Sequence, residues 1–142
     1  MDMTDAALRR ILSEVKVIAL VGASPNPARP SHDVGQFLTG RGYRVIPVNP
    51  GHAGEEIWGE VVRADLAEVA AEVGPVDMID IFRRSDAVPA IVAEALEVLP
   101  GLKVVWMQLD VISEEARSMA EARGLDVVMD RCPKIEYRRL MG

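Results

Sequence analysis

The residues of this chain best suited to holding an anion lie in three short segments. The first reads Gly22-Ala23-Ser24-Pro25-Asn26-Pro27-Ala28-Arg29-Pro30-Ser31. A glycine there lets the backbone approach a ligand, and the free N–H groups at a helix start attract negative charge. Arg29 and Ser31 add a guanidinium and a hydroxyl, both suited to phosphate oxygens. The plainer use of these residues is a proline-stiffened connection, but a loop leading from a strand into a helix favours phosphate. The second segment, Pro47-Val48-Asn49-Pro50, offers a wall for an adenine face, with Asn49 reaching the base edge or the ribose; a simple Asn-Pro-Gly turn is the other reading. The third, Phe82-Arg83-Arg84-Ser85, sets two cations side by side, which are either solvated or turned toward a phosphate or pyrophosphate. Gln108 can face the same cleft, whereas Trp106 reads as core.

Other chemistries find less support. His32 and His52 are the two histidines, in separate loops, with no cysteine or carboxylate at metal-ligand spacing, so no metal site is expected. Asp77 and Asp80 are three apart in one apolar run, which points them to opposite faces and rules out an acid/base pair. Cys132, the single cysteine, reads as a small buried hydrophobe before it reads as a nucleophile. No Gly-x-x-x-x-Gly-Lys-Ser/Thr loop is present to bind a nucleoside triphosphate. The dinucleotide fingerprint is missing too: Ser24 stands where a second glycine belongs, and Asn49-Pro50 replaces the acid that grips the ribose of NAD.

These segments must be positioned by regular elements, which the hydrophobic pattern supplies. Thr4 can cap an amphipathic helix with Leu8, Ile11, Leu12 and Val15 on one face. Val17–Val21 is a continuous apolar run, as expected for a strand covered on both faces, and it is taken as the central strand. Ser31 is expected to cap a helix ending near Arg41, where Gly42 stops it. Tyr43–Val48 follows as a strand whose Pro47 belongs at a sheet edge or strand end. A turn-rich stretch leads to a weak strand near Glu60–Arg63 and a short helix over Leu66–Val73. Val76–Phe82 and Leu102–Met107 are strands flanking a helix over Asp86–Leu99, with Ile91, Val92, Ala95, Leu96 and Leu99 inward. Ser113 opens the next helix, Gly124 ends it, and Leu125–Met129 is the last strand. Alternation throughout predicts an α/β fold, doubly wound on a mainly parallel sheet in three layers, with ligands outside the carboxyl ends of the strands.

At 142 residues the whole chain, 1–142, is expected to be one domain. Hydrophobic residues make up 49% of it, enough for a packed core and too many for disorder. Lys and Arg number 16 against 22 Asp and Glu, a net charge of -6 that disfavours a broad nucleic-acid surface while allowing a local basic pocket. No apolar run reaches the ~18 residues of a membrane span, and one cysteine suits a reducing compartment. The expectation is a cytoplasmic protein, neither exported nor embedded.

Taken in order, Val21-Gly22-Ala23-Ser24, Arg29-Pro30-Ser31, Gly42 through Pro50, Val76 through Arg84, Val105-Trp106-Met107-Gln108 and Met129 through Pro133 resemble the small stand-alone CoA-binding proteins. The resemblance extends over almost the whole chain, and also to the nucleotide-binding domain of the succinyl-CoA synthetase alpha subunit. It implies a Rossmann-like domain binding coenzyme A or an acyl-CoA. Gly22, Ala23, Ser24 and Arg29 would meet phosphates, Val48, Asn49 and Pro50 would border the adenosine, and Phe82, Arg83 and Arg84 would flank the pyrophosphate or pantetheine arm. The family commonly has glycine where this chain has Asp110. The synthetases carry phosphate on a histidine of a separate ligase domain, and no such segment is found in these residues, so the resemblance implies binding without catalysis. The alternative is an NAD(H)-binding redox sensor or oxidoreductase, since redox-sensing repressors use a related domain.

Overall fold

The computed structural model describes residues 3–142. In chain order the elements are α1 (Asp5–Glu14), β1 (Val17–Val21), α2 (Pro30–Gly40), β2 (Arg44–Val48), β3 (Glu56–Ile57), β4 (Glu60–Val61), α3 (Leu66–Glu72), β5 (Met78–Ile81), α4 (Val88–Val98), β6 (Val104–Met107), α5 (Glu114–Glu121), β7 (Asp126–Val128) and α6 (Pro133–Leu140). Five strands form one parallel sheet in the order β2-β1-β5-β6-β7, while β3 and β4 make a separate hairpin. The centre of the sheet is therefore β5, and the expected central strand, β1, lies one place in from the edge. Pro47 does sit on an edge strand, β2, opposite Leu20, where its missing N–H breaks no ladder bond on the open side.

Alternation of side chains along the buried strands divides the core in two. Ala19, Val21, Ile79, Ile81, Val105 and Met107 face Leu66 and Val69 of α3, Val92 and Ala95 of α4, and Ala116 and Ala120 of α5. Ile18, Leu20, Met78, Val104 and Trp106 face Leu8, Ile11 and Leu12 of α1, Val34 and Leu38 of α2, and Tyr137 and Leu140 of α6. The result is three layers. Trp106 is core as expected, fully buried, with its indole N–H donating to the Arg131 carbonyl at 2.8 Å. No helix among the described residues is long and apolar enough to cross a membrane.

Side-chain caps fix three of the six helix starts among the described residues. The Thr4 hydroxyl accepts from the Ala7 N–H, Asp65 from Glu68 and Ser113 from Ala116, each satisfying an otherwise orphan donor. Ser31 is not a cap. Arg29 holds that position without a side-chain bond because Pro30, with φ pre-set for a helix and no N–H to satisfy, takes the first turn and draws Ser31 inside. The helix expected from Asp86 starts as a short 3-10 turn over Ser85–Ala87, with α4 proper from Val88. The weak strand near Glu60–Arg63 is half of the β3–β4 hairpin, whose Trp58-Gly59 turn has φ of 53° and 78°, the positive values that tight hairpins require. The C-terminal α6 had no counterpart in the sequence reading.

Candidate functional site

Winding reverses between β1 and β5. From β1 the chain moves outward through α2 to β2, returns across the sheet through α3 to β5, and then continues to β6 and β7. The crevice at such a reversal is where open α/β sheets take ligands, and a cleft of about 470 Å³ opens there. One wall is Gly22 and Ser24 with Arg29, Pro30 and Ser31 at the start of α2. Asn49, Pro50 and His52 form the second wall, and Phe82 and Arg83 the third.

Gly22 makes the closeness of these walls possible. Its φ is +93°, and a Cβ built there would lie 2.6 Å from the Phe82 carbonyl oxygen, against backbone that cannot yield. The Gly22 and Ala23 N–H groups both donate to the Val48 carbonyl, at 2.9 and 3.2 Å. Ala23 is wholly buried and joins the loops from beneath, so it is frame and not lining. Asn49 does similar work: its side-chain N–H donates to the Ala23 carbonyl at 2.8 Å and its oxygen accepts from the Gly51 N–H at 2.9 Å. Asn49 thus ties β2's end to the first loop with one N–H and one lone pair of its amide while lining the cleft.

Ser24 and Asn26 order the first loop through oxygens accepting from the Asn26 and Ala28 N–H groups. Arg29 and Arg83 are exposed, and neither has a carboxylate partner among the described residues. Two unneutralised guanidinium groups facing one cleft, in a chain of net charge -6, make this concavity locally electropositive. Arg84, although adjacent in sequence, lines no part of the cleft; it pairs with Asp86 at 3.3 Å on an 85% exposed side chain. Val48 lies around the corner, in a smaller hollow of about 170 Å³ with Val21, Asp65, Leu66 and Glu94 that shares Pro50 and Arg83 with the main cleft.

Gln108 is buried behind the third wall, its N–H donating to Ile81 at 3.2 Å and its side-chain oxygen without a partner among the described residues. Asp110 stays outside the cleft. Its φ is +67°, a conformation a glycine would take without strain and that aspartate tolerates better than most residues. The Asp130 carboxylate holds it there by accepting the Asp110 N–H at 2.7 Å.

The acids also separate as their spacing indicates. Asp77 accepts from the Lys16 and Val17 N–H groups at 2.9 Å. Asp80 is completely buried between Leu20 and Trp106 with neither oxygen bonded, and burial pushes its carboxyl well above the usual range. Cys132 is buried at the start of α6. Among the described residues no three His, Cys, Asp or Glu side chains gather as a metal site would need. The cleft residue that sequence reasoning does not single out is His52, which lines the cleft with Nδ1 2.8 Å from the Glu55 carboxylate. Its signal was its place in the loop that follows the second strand.

Residues 16–138 match the family model described as a CoA binding domain. The chain is 37% identical over 132 residues to the uncharacterized protein YneT of Bacillus subtilis strain 168, covering 93% of each. Among solved structures it is similar to cell-free ID.343 from Thermus thermophilus, 39% identical with TM-score 0.89 over 97% of this chain and 99% of that one. A hypothetical protein from Pyrococcus horikoshii OT3 is 36% identical with TM-score 0.89, over 99% of this chain and 94% of that one.

Proposed function

This chain belongs to the CoA-binding domain family, and from that premise we propose that it binds coenzyme A or an acyl-CoA in the cleft at the winding reversal, with no catalysis of its own. The observation that carries the reading is the pair Arg29 and Arg83, unneutralised and facing one cleft beside the start of α2. A pyrophosphate laid between them gains charge-assisted hydrogen bonds at a helix N-terminus. Pro50 offers an apolar surface beside it for the adenosine. The pantetheine arm runs past Phe82.

Nothing in the cleft argues for a reaction. A nucleoside triphosphate would need a phosphate loop and metal-holding carboxylates, and the sequence motif for the first is missing. Isothermal titration with coenzyme A, NADH and ATP tests the reading: coenzyme A is expected to bind, and tight NADH binding with no heat from coenzyme A would overturn it. Incubation with ATP, coenzyme A and succinate or acetate is expected to yield no acyl-CoA, and turnover would overturn the non-catalytic part.

A further inference from the structure

In sheets wound this way the ribose of a bound nucleotide lies by the end of the second strand. An acid there grips the free hydroxyls of NAD, and a cationic side chain takes its place where the ribose carries a phosphate. The loop at the end of β2 in this chain, Asn49 to Glu55, has no acid at its start, and the Asn49 amide, which is uncharged, bonds Ala23 and Gly51. Its single side chain able to carry positive charge is His52, which lines the cleft.

Glu55 orients that ring. Its carboxylate lies 2.8 Å from Nδ1, which makes Nδ1 the protonated nitrogen and leaves Nε2 for a ligand. A phosphate ester at Nε2 favours the doubly protonated ring, and Glu55 on the far side offsets the added charge. The other charged groups lining the cleft are Arg29 from the start of α2 and Arg83 from the loop after β5.

Resting on the coenzyme A reading of this cleft, we propose that His52, held by Glu55, recognises a phosphate ester on the ribose of the bound nucleotide. His52 is thereby the residue that makes the cleft prefer ribose-phosphorylated nucleotides over those with a bare ribose. Arg29 and Arg83 serve the pyrophosphate common to both classes, so the two recognition tasks fall on different walls.

The test is calorimetric titration of the wild-type chain and His52→Gln with coenzyme A and with dephospho-coenzyme A, which lacks only the 3′-phosphate. The His52 side chain is 38% exposed, so the substitution leaves the core intact, and the thermal midpoint checks this. The wild type is expected to prefer coenzyme A by about tenfold or more, the size of one charge-assisted hydrogen bond. In His52→Gln that preference collapses through loss of coenzyme A affinity, while dephospho-coenzyme A binds within about twofold of wild type. Equal losses for both ligands, or no loss for either, overturn the role of His52. Absence of binding by the wild-type chain to both ligands overturns the coenzyme A reading itself, and this inference with it.

Discussion

Arg29 and Arg84 differ in what surrounds them and not in what they are. Arg29 stands in front of the first turn of α2 with no carboxylate partner among the described residues, whereas Arg84 is turned outward onto Asp86. Arg29→Ala is therefore expected to weaken coenzyme A and dephospho-coenzyme A alike by roughly 10- to 100-fold, the equivalent of a lost hydrogen bond to a charged group. Arg84→Ala should leave both within about twofold, as for an exposed ion pair. Titration of the two variants checks this, and a larger loss from Arg84→Ala would reverse the assignment. Sequence could name the cationic residues of the cleft but not divide them, because which way Arg84 turns depends on the 3-10 turn that follows it. The same limit applies to Asn49, whose amide suits a base edge by type and in the fold also donates to the Ala23 carbonyl, a bond that depends on where two distant loops meet.

Elements were legible where one physical cause dominated. Apolar runs such as Val17–Val21 read as strands covered on both faces, and Thr4 and Ser113 cap as their types suggest. The position of β1 in the sheet was not legible, since strand order is set by crossovers. α6 was missed because its docking is tertiary: Glu136, buried, accepts from Arg131 and Arg139, and Arg139 reaches across to Asp5 on α1. Burial alone would raise the Glu136 pKa, but the bonds from Arg139 and Arg131 outweigh it and hold the carboxyl below its usual range.

The central strand carries the opposite case. Asp80 has no compensating cation among the described residues, and burial raises its pKa well above the usual aspartate value. The folded state therefore holds a proton that the unfolded chain releases at lower pH. The stability linked to that proton is full below the unfolded pKa and is lost as pH rises toward the folded one, at up to about 1.4 kcal/mol per pH unit. Urea denaturation from pH 4 upward is expected to show this falling component in the wild type. Asp80→Asn, which has no charge to lose, should lack it, and parallel slopes for the two proteins would refute the assignment.

At the scale of the whole molecule two electrostatic effects compete. The net charge of -6 repels any polyphosphate at a distance, while the cleft attracts it at contact. Screening decides between them. At about 0.1 M salt the Debye length is ~10 Å, so acids on the far side of the domain are already muted, whereas hydrogen-bonded guanidinium–phosphate pairs at under 4 Å still act. Affinity is then expected to follow the cleft. A ligand bound only by the native state at a hundredfold its dissociation constant adds about 2.7 kcal/mol, or roughly 5–11 °C of thermal midpoint for a chain near this size. Raising salt from about 0.05 to 0.5 M at one fixed coenzyme A concentration should shrink that increment, because the exposed Arg29 and Arg83 contacts weaken as the Debye length falls. Thermal melts with and without coenzyme A across the salt series measure it. An increment that grows with salt would mean that repulsion by the acidic surface, and not attraction by the cleft, governs binding.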